Sequence, residues 1–132
     1  MVTLVLGIPG SGKTTEAARM MRDNSIVYDL DCIASAFRLG RGHNAESRDM
    51  ANALLGGFCS NATEFTDDVI VVRCAPTISE IDEISPDKAV ICWTEQNRRN
   101  LPGGRVEALQ QRVLDAMEWL RCNDIPIQII ET

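Results

Sequence analysis

Val2-Thr3-Leu4-Val5-Leu6-Gly7-Ile8-Pro9-Gly10-Ser11-Gly12-Lys13-Thr14 is the stretch that decides the fold. Its first five residues are apolar or β-branched without a break, as in a central parallel strand covered on both faces. They lead into Gly-x-x-x-x-Gly-Lys-Thr, a phosphate-binding loop pattern that belongs between a strand and a helix. Glycines in such a loop let backbone N–H groups curl around an anion with no Cβ in the way. The helix that follows aims its positive end at the same point. The expected ligand is a nucleoside triphosphate with Mg²⁺. Lys13 is expected between the β- and γ-phosphates and the Thr14 hydroxyl on the metal. Gly7, Gly10, Ser11, Gly12 and Thr15 complete the expected cradle.

Strand and helix signals alternate along the rest of the chain. A helix is predicted from Gly12 to Arg22, with Ala17, Ala18 and Met21 as packing positions. Ser25–Tyr28 reads as a short strand, and Asp31 as the cap of a helix running to Leu39. Met50, Ala53, Leu54 and Phe58 form a stripe at helical spacing on a helix over 45–58, whose end Gly56 and Gly57 weaken. Val69–Val72 is β-branched throughout and reads as a strand. Thr77–Ile84 allows at most a short helix, and Ala89–Trp93 a fourth strand. Val106, Leu109, Val113, Met117 and Leu120 mark a long amphipathic helix after Gly104. Ile125–Ile130 is the fifth strand, where Pro126 suits an edge position. Five strands separated by helices predict an α/β fold of three layers, a parallel sheet with helices on both faces.

In such sheets ligands sit at the carboxyl ends of the strands. Asp29 and Asp31 close the second strand there; either can take a proton from an attacking hydroxyl or hold a Mg²⁺-bound water. Asp31 is the first candidate for base and, with Thr14, for the metal. Arg98, Arg99 and Arg105 lie in the long loop before the last helix, where positive charge can stabilise a transferring phosphoryl group. Arg38, Arg41, His43 and Arg48 flank the helix pair after the second strand, a natural cap over an acceptor. Arg73 closes the third strand and is a further substrate-binding candidate. P-loop enzymes usually place an acid there, whereas Asp67 and Asp68 precede the strand and fall at the wrong end of the sheet.

The chain has 132 residues, 45% of them hydrophobic and 24% charged, which suits a single soluble domain over 1–132. A net charge of −6 argues against an extended nucleic-acid groove. No apolar run reaches the roughly 18 residues of a membrane span, and the first residues do not read as a signal peptide. Cys32, Cys59, Cys74, Cys92 and Cys122 are widely spaced; most are expected to be core thiols in a reducing, cytoplasmic setting.

The loop Gly-x-Pro-Gly-Ser-Gly-Lys-Thr, the acidic pair closing the second strand and the Arg-bearing loop before the last helix resemble the small P-loop kinases. Polynucleotide-kinase-like and nucleotide-kinase-like members are the most similar. The resemblance implies the P-loop NTPase fold with strand order 2-3-1-4-5. It also implies ATP as the nucleotide, Asp31 as the residue that activates the acceptor hydroxyl, and a lid arginine among Arg98, Arg99 and Arg105. Tyr-Asp-Leu-Asp-Cys-Ile-Ala and Arg-Cys-Ala-Pro-Thr also resemble small ATP-binding proteins of phages and prophages. The expected activity is Mg²⁺-dependent transfer of the γ-phosphoryl group to a hydroxyl or phosphate acceptor: a nucleic-acid end, a nucleotide or a small metabolite. A nucleotide-binding regulatory module, or a weak NTP hydrolase, is the other reading.

Overall fold

Every residue of β1 (Val2–Gly7) is buried, and the rest of the molecule is arranged to bury it. The computed structural model describes residues 1–94 and 104–131. After β1 come α1 (Lys13–Met20), β2 (Ile26–Asp29), α2 (Leu30–Ala36), α3 (Ala45–Ala62) and β3 (Val69–Cys74). They are followed by α4 (Ile78–Ile84), β4 (Lys88–Trp93), α5 (Arg105–Cys122) and β5 (Ile127–Glu131). The five strands are all parallel, in the order β2-β3-β1-β4-β5. The α/β fold and the strand order are those expected.

The two faces of the sheet are covered unequally. Side chains alternate across a strand, so Val2, Leu4 and Leu6 join Val69, Val71 and Ile91 on one face. There Ala51 and Leu55 of α3, Ile81 of α4, and Val113 and Leu120 of α5 close the larger core. Val5, Ile70, Val72, Val90 and Cys92 point the other way and meet Ala17 of α1, with Met20, Val27 and Ile130 only partly buried around them.

Element ends differ from expectation where local chemistry competes. The first helix stops at Met20, and Met21 turns to extended backbone; Ala18 and Met21 are therefore exposed, and Ala17 with Met20 does the packing. α2 is capped by Asp29, whose side chain accepts the Cys32 N–H, rather than by Asp31. The strand runs one residue past Tyr28 and the helix cap falls two residues before Asp31, so strand and helix meet at Asp29 with no loop between them.

α3 runs through Gly56 and Gly57 to Ala62. Its start is fixed by a reciprocal cap, Ser47 N–H to Asn44 Oδ1 and Asn44 N–H to Ser47 Oγ, both 2.9 Å. Its buried face is Ser47, Ala51, Leu55, Cys59 and Ala62; Met50, Ala53 and Leu54 are exposed. At the other end of the chain, Pro126 precedes β5 and serves only through its carbonyl, which accepts from Ala89 N–H at 2.9 Å. Proline has no N–H to give the ladder.

β3 extends two residues past Val72, so Arg73 pairs in register with Leu6 and Cys74 with Gly7. Asp67 and Asp68 sit at the far, amino-terminal end of β3. There they accept hydrogen bonds from Asn24 and Ser25.

Candidate functional site

The loop after β1 is shaped by two glycines. A Cβ on Gly7 would lie 2.4 Å from the Cys92 carbonyl oxygen and 2.4 Å from Ser11 Oγ, so the backbone passes where no side chain fits. Gly12, at φ 87°, caps α1 in a left-handed conformation. The first intrahelical bond of α1 is Glu16 N–H to Gly12 C=O, 2.9 Å. The amides of the preceding helix-start residues, Lys13, Thr14 and Thr15, therefore have no partner within the helix. Lys13 Nζ donates to the Ile8 carbonyl at 3.0 Å, which holds the ammonium across the loop. Ser11 is buried, and its hydroxyl has no hydrogen-bond partner among the described residues. The amides at the start of α1, one lysine and a helix amino end make the donor set that a polyphosphate needs.

Next to this loop lies a cleft of about 440 Å³ lined by Gly10, Gly12, Lys13, Thr14 and Thr15 on one side. Asp29, Asp31 and Cys32 from β2 and α2, Arg48 from α3, and Arg73 and Cys74 from β3 line the other. Both acids of Asp-x-Asp thus reach one cleft although Leu30 already belongs to the helix.

Their environments differ. Asp29 is engaged twice: Oδ1 caps α2, and Oδ2 accepts the Thr14 hydroxyl at 2.8 Å. Asp31 is half exposed, with His43 Nε2 and Arg48 Nε each 3.8 Å from Oδ1. The carboxylate beside Thr14 is therefore that of Asp29, while Asp31 looks across the cleft.

Magnesium takes few protein carboxylates and several phosphate or water oxygens. The Thr14–Asp29 pair beside the amide loop fits that preference. Among the described residues no group of three His, Cys, Asp or Glu side chains could hold a metal by itself.

Arg73 is 5% exposed, and its guanidinium forms an ion pair with Glu80 at the start of α4. Glu80 is in turn held by Thr77, which caps α4 by accepting the Glu80 N–H at 3.2 Å. Burial, and then the nearby Arg48, push the Arg73 pKa down from its ordinary value. Burial pushes the Cys74 thiol up, so it stays protonated at neutral pH. Glu80 escaped sequence reading, although a buried arginine at a strand end requires an acid, and Thr-x-x-Glu is a helix-start pattern.

The remaining candidates fall elsewhere. Arg38 and Arg41 are exposed on the turn after α2, where Arg38 donates to the Gly42 carbonyl at 3.3 Å; neither lines the cleft. Arg105 is exposed at the first position of α5. Arg98 and Arg99 lie outside the described residues. Of the cysteines, Cys59 and Cys92 are buried, Cys74 is intermediate, and Cys32 and Cys122 are exposed. Among the described residues no helix is long and apolar enough to cross a membrane.

Neither a protein-family profile nor a curated protein matches the sequence. Solved structures do match. A sugar kinase from Janibacter sp. superposes with a TM-score of 0.57 at 19% identity, covering 98% of this chain and 84% of that one. A thymidylate kinase from Ehrlichia chaffeensis gives 0.52 at 17% identity, over 100% and 88%. A shikimate kinase from Bacteroides thetaiotaomicron gives 0.51 at 16%, over 96% and 85%. The likeness to phage proteins finds no support in these comparisons. The cradle, the acids at the end of β2 and the strand order are carried on the fold of the small P-loop kinases.

Proposed function

We propose that the protein is an ATP-binding, Mg²⁺-dependent phosphotransferase that moves the γ-phosphoryl group to an acceptor hydroxyl. The observation that carries this reading is the division of labour in Asp-x-Asp. Asp29 is tied to Thr14 at 2.8 Å on the nucleotide side, and Asp31 faces the same cleft, 3.8 Å from the nitrogens of His43 and Arg48. The amides at the start of α1 and the Lys13 ammonium bind the polyphosphate and orient its γ-phosphoryl group. Thr14, oriented by Asp29, offers its oxygen to Mg²⁺, which when bound supplies charge that offsets the phosphate oxygens. Asp31 takes the proton of the acceptor hydroxyl as its oxygen attacks phosphorus. One of Arg98, Arg99 and Arg105 would steady the charge of the transferring group.

Two variants test this. Calorimetry with ATP and Mg²⁺ should show binding that Lys13→Ala weakens by about a hundredfold or more, since a charge-assisted contact to phosphate is lost. Asp31→Asn should keep nucleotide binding and lose transfer by about 10²–10⁴-fold, the usual worth of a general base. Equal heats for wild type and Lys13→Ala would remove the nucleotide site; undiminished transfer in Asp31→Asn would remove the base.

The arginine where β3 usually carries an acid favours a second reading, a regulatory nucleotide-binding module or weak hydrolase. Phosphate release from ATP with no added acceptor, undiminished in Asp31→Asn, would support it.

A further inference from the structure

α3 carries an apolar stripe that the core of its own chain does not use. Met50 and Leu54 are 53% and 47% exposed, and Ala53 and Gly57 are exposed beside them. At about 3.6 residues per turn these four share one sector of the helix surface. Large aliphatic side chains set side by side in water are unfavourable. Glycine inside a helix is destabilising as well. Gly56 has a local cause, because Glu83 lies where its Cβ would go, but a Cβ on Gly57 would meet nothing within 4 Å. Among the described residues, no neighbour requires Gly57 to be small.

The stripe is symmetric about the midpoint between Ala53 and Leu54, and reversing it exchanges large for small. Turned end for end, a second α3 sets the partner's Gly57 opposite Met50 and the partner's Ala53 opposite Leu54. Each long side chain then enters the space beside a small one. The same register puts Glu46 opposite the partner's Asn61. One amide hydrogen of Asn61 goes to the Gly57 carbonyl at 2.7 Å, and the amide carries a second. Asp49 falls opposite the partner's Phe58, so no carboxylate of α3 faces another. Charge agrees with this direction. Exposed Arg38, Arg41 and His43 precede α3, and Glu64 and the 79% exposed Phe65 follow it. Antiparallel pairing sets the cationic turn against a carboxylate and a ring face, whereas parallel pairing sets like against like.

We propose that α3 is the two-fold interface of a homodimer, packed antiparallel through Met50, Ala53, Leu54 and Gly57, with the cationic turn of each copy against the partner's Glu64 and the partner's Phe65. A two-fold contact is isologous, so every complementary pair occurs twice. The helix has 18 residues and is therefore about 27 Å long, enough for the stripe and both ends to engage together. Arg48 lies on the opposite side of α3 and lines the cleft, so the contact leaves the cleft open. The interface stands independently of the reaction proposed for the cleft.

Sedimentation velocity on the full chain, diluted across the micromolar range, should show a monomer–dimer equilibrium. Leu54→Glu, a change at an exposed position, should weaken it about tenfold or more. Gly57→Leu separates the interface from the stability of the helix. Leucine raises helix propensity, and no described atom lies within 4 Å of the new Cβ. Thermal melting under dilute, monomeric conditions should therefore show a chain at least as stable as wild type. Its dimer should nevertheless weaken by about tenfold, because the partner's Met50 loses its seat. Glu64→Arg should weaken the dimer too, and adding Arg41→Glu to the same chain should restore it by exchanging the two charges. A chain that stays monomeric throughout overturns the inference and leaves the stripe to a different partner. A dimer indifferent to both Leu54→Glu and Gly57→Leu overturns it in favour of another surface. Failure of Arg41→Glu to restore the Glu64→Arg dimer overturns the antiparallel arrangement.

Discussion

At the scale of single residues, two positions carry the site's geometry. Gly7 lies in register between Cys74 of β3 and Cys92 of β4, and a methyl group there meets a backbone carbonyl that cannot swing aside. Gly7→Ala is expected to cost about 1–3 kcal/mol of stability, as overpacking does, read as a lower urea midpoint with an unchanged slope. It should also spoil nucleotide binding, since Ser11 must shift. An unaltered midpoint would mean that the loop gives way easily. Asp29 is the other position. That an acidic pair closes the second strand was legible in Asp-x-Asp. Which acid caps α2 was not, because it depends on the residue at which β2 stops, and Tyr28-Asp29-Leu30 is compatible with strand or helix start. Arg73 was legible as the odd residue at a strand end, yet its partner was not, since Glu80 comes from a separate element.

At the scale of elements, α3 shows what periodicity can and cannot deliver. The helical spacing was readable, but two stripes compete: Met50-Leu54-Phe58, and Ala51-Leu55-Cys59-Ala62. The second is smaller and packs closer, so it wins the core, while Phe58 is retained by its ring contact with Tyr28, 4.7 Å between centroids. The glycines at 56 and 57 read as a helix end. Instead Gly56 lies close under Glu83 of α4, a contact invisible before the two helices are packed.

The same inner face yields a pH prediction. Burial and then the Glu83 carboxylate push the Cys59 thiol up to about 11. Between its unfolded value, near 9, and that value, the folded chain keeps a proton that the unfolded chain releases. Stability should therefore fall as pH rises through this window, and be unaffected by this group below it. Urea unfolding at pH 8 and pH 10.5 should show a smaller drop for Cys59→Ala than for wild type.

At the scale of the molecule, the parallel sheet and its strand order were within reach, the sheet from alternating apolar runs and the order from resemblance. The inequality of its two faces was not. Only assembly reveals that α2, α3, α4 and α5 share one side and that α1 is the one helix on the other among the described residues. Truncations should report the difference. Leu120→Ala, fully buried on the thick side, should cost about 2–5 kcal/mol. Met20→Ala on the half-covered side should cost less than half as much, measured by urea unfolding of both variants; equal losses would contradict the asymmetry.

One contact ties the two halves of the cleft together. The Asp29 carboxylate answers to α1 through one oxygen and to the start of α2 through the other. A cation that claims the Thr14 hydroxyl must therefore renegotiate with the same group that anchors Cys32. Under the proposed function, an occupied triphosphate seat would act mechanically on the helix bearing Asp31, and the Cys32 amide resonance would become a gauge of occupancy.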